Sequence, residues 1–321
     1  MENLLTRPYR DDDAVALTDL FNEIERHAGG DPGYTSSETH AFVTTIVRDV
    51  ATDTRMLVAP DGALVAAALV PTPPEGGFRV DLAGGVRPAW RGRGIGRALL
   101  GWQLSRSEEI RQATAPDAAW EAHVGAVAGD DDTRRLCARF GLDPVRYFFE
   151  MQASLDATNG AGVPDGFAVT SYQVQHEKDV YEAHMEAFQD HWGYQRRAFD
   201  EWSALTVRSP GFLPEHSLLA FDGAEIAGYV LCYHDADPSR LYVGHVGVRR
   251  PWRRRGLAGG LLSRVLADAR EVGYRTATLG VDADSPTGAV GVYERVGFHV
   301  AHRGLAYSIA LPVGGSTAPA A

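Results

Sequence analysis

An arginine- and glycine-rich segment at residues 246–260 carries the residue types best suited to binding an anion. It begins at the end of an apolar run, 241–248, and continues into apolar residues at helical spacing. These helix residues are Leu257, Leu261, Leu262, Val265, Leu266 and Ala269. A strand that turns directly into a helix presents free backbone N–H groups and the positive end of the helix dipole at one point. The segment therefore predicts an anion site, and a pyrophosphate is the anion that suits it best.

The same arrangement occurs earlier in the chain, at residues 84–100. Aligning Val86 with Val248 requires no gap and matches, among others, five further identical pairs. The pairs are Arg87 with Arg249, Trp90 with Trp252, Arg91 with Arg253, Arg93 with Arg255 and Gly94 with Gly256. Two such blocks 162 residues apart in a chain of 321 residues predict an internal duplication.

The elements around the two segments repeat in the same order, which predicts two α/β domains. The second half illustrates this with strands at 167–172, 217–221, 225–233, 241–248, 276–281 and 304–311, and helices near 177–189, 257–272 and 287–296. We expect in each half a mixed, largely antiparallel twisted sheet with helices on both faces. The predicted domains are 1–153 and 167–311, joined by a linker at 154–166 that is rich in turn residues. Residues 312–321 are predicted to be a disordered tail.

Composition narrows the classes of function. The net charge of −11 argues against a nucleic-acid partner, because neutralisation of phosphates dominates that kind of affinity. No apolar run approaches the roughly 20 residues that span a bilayer, and the N-terminus lacks the features of a signal peptide. The two cysteines fall one in each half without metal-type spacing. These features predict a cytoplasmic protein, monomeric or homodimeric, with no membrane partner.

Two motifs together resemble a known family. The sequences Arg253-x-x-Gly256-x-Ala258 and Arg91-x-x-Gly94-x-Gly96 resemble the turn that binds the pyrophosphate of acetyl-CoA in the GNAT N-acetyltransferases. Residues 285–298 are similar to the tyrosine-containing helix of that family. The resemblance covers nearly the whole chain. It implies acetyl-CoA as co-substrate and direct transfer of acetyl to the primary amine of a small molecule, with neither a metal nor a covalent acyl-enzyme.

The resemblance also implies roles for individual residues. The backbones of Val246 and Val248 would pair with the pantetheine arm, the amides of 254–259 would hold the pyrophosphate, and Tyr293 would protonate the departing thiolate. A phenol suits that step because its ordinary pKa of about 10 keeps it protonated at pH 7. The cofactor residues implied in the second half are Val246, Val248, Arg253, Arg254, Arg255, Gly256, Leu257, Ala258, Gly259 and Ser285. Those in the first half are Val86, Arg91, Gly92, Arg93, Gly94, Ile95 and Gly96.

The two halves depart from the family pattern to different degrees. Ser285 stands where the family has asparagine, and in the first half Cys137 stands where the family has tyrosine. We therefore expect catalysis in the second half. The first half is expected to keep a cofactor turn without a general acid, either as a structural acetyl-CoA site or as a spent copy. Such a tandem arrangement resembles that of mycothiol synthases, which acetylate a cysteinyl pseudo-disaccharide amine, and an antibiotic-modifying acetyltransferase fits as well.

The acceptor site is predicted from position. Asp190, His191 and Trp192 follow the first helix of the second half, where the family places its acceptor loop. His245 precedes the turn and is the candidate base; regular strand alternation would place it on the same face as Val243 and Gly247.

Other interpretations of the same residues remain open. Tyr293 could be a core residue beside Phe298, and the five arginines within residues 249–255 could be a solvated face. A chain with two cofactor turns and no turnover would be a non-catalytic acyl-CoA sensor.

Overall fold

A mixed sheet lies at the centre of each half of the chain. A computed structural model describes residues 4–156, 161–311 and 313. These divide into two compact units. The N-terminal unit contains 4–147, 304–311 and 313, and the C-terminal unit contains 148–156 and 161–303.

In the N-terminal unit, the strands lie in the order β1-β2-β3-β4-β5. Neighbouring strands are antiparallel except β4 and β5, which are parallel. The strands are β1 (Leu5–Arg7), β2 (Thr54–Val58), β3 (Leu64–Leu69), β4 (Arg79–Val86) and β5 (Trp120–Val127). The helices are α1 (Ala14–Ala28), α2 (Ser36–Ile46), α3 (Val50–Asp53), α4 (Ile95–Thr114) and α5 (Asp131–Arg139). A further strand, β6 (Asp143–Ser154), begins in this unit.

The C-terminal unit repeats this plan with the order β7-β8-β9-β10-β11. Here β10 and β11 form the parallel pair, and the other neighbours are antiparallel. The strands are β7 (Ala168–Ser171), β8 (Leu218–Asp222), β9 (Glu225–His234), β10 (Arg240–Val248), β11 (Thr276–Asp282) and β12 (His299–Leu311). The helices are α6 (Glu177–Ala187), α7 (Phe199–Leu205), α8 (Leu257–Glu271) and α9 (Ala289–Val296).

Strand β9 is apolar on both faces, and helices cover the sheet on both sides of it. Val230 and Cys232 pack into one apolar cluster with α8, whereas Tyr229, Leu231 and Tyr233 pack into a second cluster with α6 and α7. Because successive side chains of a strand point to opposite faces, a strand that is apolar throughout needs helices on both sides. The predicted fold class, with mixed strand pairing and helices on both faces in each half, is confirmed.

The compact units differ from the predicted domain ranges at both ends. Residues 148–154 of β6 pair with β11 and belong to the C-terminal unit. Residues 304–311 of β12 pair with β5 and belong to the N-terminal unit. The parallel strands β5 and β11 each take an antiparallel neighbour that lies far away along the sequence, and no local pattern encodes such a partner. Of the predicted linker and tail, residues 157–160, 312 and 314–321 lie outside the described residues.

Most elements begin and end near the predicted positions, but the short helices α3 and α7 were missed. Helix α7 (Phe199–Leu205) buries Trp202 but is only seven residues long, too short for a clear helical pattern. Within the described ranges, no helix combines the length and apolar character needed to cross a membrane.

Tyr307 tests the contribution of the last strand to the N-terminal unit. Its side chain is buried in the cluster around Cys137 and lies opposite Val124 of β5. Replacing it with alanine should lower the free energy of unfolding by about 3–5 kcal/mol, because a large aromatic leaves a cavity. Hydrogen exchange should show the lost protection in residues 120–127. The control Val313→Ala removes an exposed side chain of the same segment and should change stability by less than about 0.5 kcal/mol. Unchanged exchange in β5 would contradict the pairing.

Candidate active site

The turn between β10 and α8 is shaped to gather backbone N–H groups. Arg254 has a φ of 63° and Gly256 a φ of 80°, both in the left-handed region. The first helical hydrogen bond runs from the Gly260 N–H to the Gly256 carbonyl, at 3.0 Å. The N–H groups of 257–259 therefore have no carbonyl partner in the helix, and they lie at its positive end.

The turn in the N-terminal unit has the same backbone. Gly92 and Gly94 have φ values of 76° and 80°, at the positions aligned with Arg254 and Gly256. The Ala98 N–H donates to the Gly94 carbonyl at 3.1 Å, so this turn opens into α4 in the same way. A non-glycine residue in this region of φ carries a backbone strain of about 1 kcal/mol. Arg254 is the one described non-glycine residue of the chain with positive φ.

Two arginines of the turn fasten it to the fold. The Arg253 guanidinium donates to the carbonyls of Val248 (3.1 Å) and Ala187 (3.0 Å) and to the Asp190 carboxylate (2.7 Å). The Arg249 guanidinium donates to the Ile226 carbonyl and, at 2.6 Å, to Glu186. Both side chains therefore connect the end of β10 to α6 and the loop after it.

The aligned arginines do the same in the N-terminal unit. Arg91 Nε donates to the Val86 carbonyl at 3.4 Å, and Arg87 Nε donates to the Leu64 carbonyl at 2.6 Å. Arg87 is also paired with Glu23 of α1. Arg91 and Arg253, the first arginines of the two motifs, therefore bind carbonyl groups of the protein itself. The backbone N–H groups of the turn remain available to an anion.

Asp190 takes part in these contacts between the turn and the loop after α6. It accepts from both Arg250 and Arg253 at 2.7 Å, and these two hydrogen bonds lower its pKa to about 2. The side chains of Arg254 and Arg255 are exposed and, in the part of the chain that the structure describes, make no hydrogen bond or ion pair. Two of the five arginines are therefore left to face a charged ligand.

The parallel strands β10 and β11 separate soon after they begin. They pair only at residues 240–242 with 276–278. Residues 245–248 then continue in register with β9 alone. The edge of β10 that faces β11 therefore carries backbone groups without a strand partner, and this edge includes Val246 and Val248.

A bulge at Gly244 sets the direction of His245. The register with β9 shifts between Val243 and His245, so that Val243 faces Cys232 and His245 faces Leu231. His245 consequently lies on the face of Leu231 and Gly247, opposite to the face of Val243. The expectation of regular alternation, which grouped His245 with Val243, was wrong because a bulge adds one residue to one strand.

His245 lies in a cluster of imidazole and aromatic rings. Its ring centroid is 5.1 Å from that of His184 and 5.9 Å from that of Phe188, and its Nδ1 is 3.1 Å from the Tyr233 hydroxyl. Burial lowers the pKa of His245 to about 4, with a further contribution from His191. His245 is therefore a neutral imidazole at pH 7.

The wall beside His245 is a stack of three rings. Phe188 stacks on His184 and on His191, with ring centroids 4.2 Å apart in both pairs. His184 was not predicted as a site residue; its signal in the sequence is the spacing of 184, 188 and 191, which places three rings on one helical face. His184 is buried, and its Nδ1 is 2.9 Å from the Tyr229 hydroxyl.

The predicted acceptor residues separate into different roles. Asp190 points to the turn arginines, whereas His191 belongs to the ring stack and is close enough to Asp282 for that carboxylate to raise its pKa. Burial is the larger effect and lowers the pKa of His191 overall. Trp192 packs against Phe148, with ring centroids 6.0 Å apart. His191 is therefore the predicted residue that the ring stack places beside His245.

Tyr293 lies on α9, against the opposite face of the sheet from the ring stack. Its side chain is buried in the cluster of α8 and packs 6.2 Å from Phe298. Burial raises its pKa to about 12, so it remains a phenol at pH 7. Its hydroxyl makes no hydrogen bond within the described residues. Ser285, in the turn before α9, shares a hydrogen bond of 2.9 Å with Thr287.

The corresponding position in the N-terminal unit is apolar. Cys137 is fully buried, and burial raises its pKa to about 12. The Leu142 N–H donates to the Cys137 carbonyl at 3.0 Å, as the Phe298 N–H does to Tyr293, so the two helices end alike. Near the turn, Arg91 pairs with Asp130 and Asp132 at the start of α5. Asp130 is the residue directly before α5, so negative charge lies where the C-terminal unit has Gly288 directly before α9.

Comparison with known proteins agrees with this geometry. Residues 177–298 match the model of the acetyltransferase (GNAT) family. The chain is 31% identical to a mycothiol acetyltransferase of Salinispora tropica over 90% of its own length and 94% of that protein. The chain belongs to the GNAT family of acetyltransferases.

Solved structures of GNAT proteins share the tandem organisation. A GCN5-related N-acetyltransferase from Sphaerobacter thermophilus is 29% identical, with a TM-score of 0.77 over 97% of this chain and 96% of that one. A tandem GNAT protein from the clavulanic acid biosynthesis pathway is 18% identical, with a TM-score of 0.70 over 98% and 100% of the two chains, and shares the fold. This GNAT chain is an N-acetyltransferase, and its family uses acetyl-CoA.

The pKa of Asp190 predicts how acid affects this GNAT protein. A carboxylate whose pKa is lower in the folded chain than in the unfolded chain stabilises the fold above its unfolded pKa, and this contribution is lost as the pH falls towards its folded pKa. With the folded value at about 2, we expect Asp190 to stop contributing between about pH 5 and 2. Asp190→Asn should therefore lose less stability than the wild type between pH 7 and 3, measured from urea midpoints. Asp268→Asn, which removes an exposed pair with Arg264, is the control. An Asp190→Asn midpoint that falls as steeply as that of the wild type would contradict the role of the pair.

Proposed function

We propose that the protein transfers an acetyl group from acetyl-CoA directly to the primary amine of a small molecule, with the chemistry in the C-terminal unit. One observation carries the proposal: β10 and β11 separate beside a turn whose amides are free. Tyr293 and His245 lie on the two faces of the sheet there, Tyr293 as a protonated phenol and His245 as a neutral imidazole, which are the states that the reaction requires.

The residues present fit acetyl-CoA. The edge of β10 at Val246 and Val248 has no strand partner, and it suits the amides of a pantetheine arm, which would pair with it as a further strand. The amides of 254–259 suit a pyrophosphate, since both the helix dipole and the free N–H groups favour an anion there. Arg254 and Arg255 would add positive charge on the solvent side. When bound, acetyl-CoA supplies the acyl group and a thiolate leaving group.

Tyr293 is proposed as the general acid. Its hydroxyl would give its proton to the departing sulfur as the carbon–sulfur bond breaks. A phenol with a pKa of about 12 holds its proton throughout the physiological range, so the donor is present whenever substrate binds.

His245 is proposed as the proton acceptor. The attacking nitrogen loses a proton as its bond to the acetyl carbon forms, and a neutral imidazole beside the strand edge can take it. With a pKa of about 4, His245 is neutral above about pH 5, which is the state that this role requires.

The acceptor is proposed to bind along the wall of His184, Phe188 and His191 beside His245. Because burial lowers the pKa of His191 as well as that of His245, the wall is uncharged at pH 7 and does not repel an amine. The relatives named mycothiol acetyltransferases favour an acceptor of the mycothiol type.

We propose the N-terminal unit as the non-catalytic copy, because Cys137 cannot act as a phenol does and Asp130 and Asp132 already pair with Arg91.

Tyr293→Phe tests the proposed general acid. We expect kcat to fall by about 100-fold or more, because the leaving thiolate would depart without a proton donor. The measurement is release of free thiol from acetyl-CoA with a panel of small primary amines, and calorimetry should find acetyl-CoA binding unchanged. Tyr274→Phe is the matched control, as it removes a half-buried hydroxyl elsewhere in the same unit. Full turnover in Tyr293→Phe would exclude this role, and binding without turnover of any amine in the wild type would favour the sensor.

Gly256→Val and Gly94→Val compare the two turns. Both glycines have a φ of 80°, so valine strains the backbone equally at the two positions. Only the change at 256 should abolish acetyl transfer, whereas the change at 94 should lower stability or the number of acetyl-CoA molecules bound. The readouts are kcat/KM, thermal unfolding and the stoichiometry of binding. Equal loss of transfer in both variants would contradict a single active unit.

A further inference from the structure

The hydrogen bond between Tyr233 and His245 is produced by the bulge of β10. Tyr233 lies on β9, and its hydroxyl is 3.1 Å from His245 Nδ1. The Tyr233 ring crosses over Gly244, where an added Cβ would lie 2.4 Å from a ring carbon. The bulge turns His245 to the face of Tyr233, and the missing side chain at 244 gives the phenol room to reach it. Two features of the backbone therefore bring these two side chains together.

This bond leaves a single nitrogen of His245 for chemistry. A neutral imidazole carries one proton, and the hydrogen bond made by one nitrogen determines which nitrogen holds it. Since Nδ1 is occupied by Tyr233, only Nε2 can receive a proton from a substrate. Nε2 has a lone pair only if Nδ1 holds the proton and donates it to the Tyr233 oxygen.

Tyr233 is suited to accept that bond. Its ring is buried, which raises its pKa well above the ordinary value, so it stays a neutral phenol with an oxygen that can accept. If Nε2 takes a proton, the resulting imidazolium keeps its Nδ1–H on the same oxygen. Without that oxygen the N–H would lie unpaired among apolar rings, which is unfavourable.

We propose that Tyr233 is a positioning residue whose phenol oxygen accepts the Nδ1–H of His245 and so presents the Nε2 lone pair to the acceptor amine. The inference rests on the proposed role of His245 and adds the residue that determines the state of its imidazole. The amine proton moves to Nε2 as the nitrogen–carbon bond forms, and the Nδ1 proton stays in place. His184 and His191, which face His245 from α6 and the loop after it, are neutral at pH 7 because burial lowers the pKa of both.

A second tyrosine–histidine pair supplies the matched control. Tyr229 lies four residues before Tyr233 on the same face of β9, and its hydroxyl is 2.9 Å from His184 Nδ1. Removing this hydroxyl changes a buried hydrogen bond of the same kind in the same cluster without touching His245.

Nitrogen NMR on the full chain tests the proposal. Long-range proton–nitrogen correlation of protein labelled with 15N-histidine distinguishes the two neutral tautomers, and His245→Gln assigns the signals. We expect wild-type His245 at pH 7 to show a protonated Nδ1, and Tyr233→Phe to move it to the tautomer protonated at Nε2. Tyr229→Phe should leave the His245 signals in the wild-type pattern. Protonation at Nε2 in the wild type overturns the proposal by itself, even if Tyr233→Phe does not fold. A tautomer that is unchanged in Tyr233→Phe, or lost equally in Tyr229→Phe, overturns it too.

Kinetic measurements distinguish a failure of this inference from a failure of the proposed function. Tyr233→Phe should lower kcat by about tenfold or more while the KM for acetyl-CoA stays constant, because the imidazole, and not the cofactor site, is altered. A fall in stability with kcat unchanged would mean a structural role only and would overturn the inference. Full turnover in His245→Gln is a different result, since it would remove the proposed base whatever the spectrum shows.

Discussion

The early separation of two parallel strands is the constraint on which the C-terminal unit depends. If β10 and β11 stayed paired beyond Tyr242 and Thr278, their backbones would satisfy each other and the sheet would be closed at this point. Because they part, β10 keeps an open edge that runs straight into the turn before α8. Tyr293 approaches from the helix on one face of the sheet and His245 lies on the other face. The break in the pairing therefore lies beside the turn and between the two side chains proposed to transfer protons.

The two copies keep the same supports and differ in their reactive groups. Arg91 and Arg253 make the same bond to the carbonyl at the end of the preceding strand, and Gly94 and Gly256 share one φ value. Such contacts are needed for any strand to turn into a helix in this way, so both copies retain them. The proposed protonation of the departing thiolate uses a phenol at the position of Tyr293, where the first copy has Cys137. Similarity between the copies therefore reports on the fold, and the difference between Cys137 and Tyr293 reports on the chemistry.

Local patterns in the sequence predicted the turns, the duplication and most of the strands, because each depends on residues close together in the chain. The orientation of His245 was missed, since a bulge depends on how Val243 and His245 meet the neighbouring strand. The five arginines looked alike in sequence and were separated only by their distant partners, Glu186 and Asp190. The spacing of His184, Phe188 and His191 could have indicated a shared helical face, but the contact of His184 with Tyr229 depends on the distant strand β9 and could not be predicted.

The last strand of the chain completes the N-terminal unit, and this affects the order of folding during synthesis. The N-terminal unit has most of its elements once residue 147 has been made, but the antiparallel neighbour of β5 is residues 304–311. At translation rates of about 5–20 residues per second, the intervening segment takes roughly 8–30 s to be made. During that interval the edge of β5 is open to other strands. We expect the nascent chain to be most prone to aggregation then, although the two units contain closely similar folds.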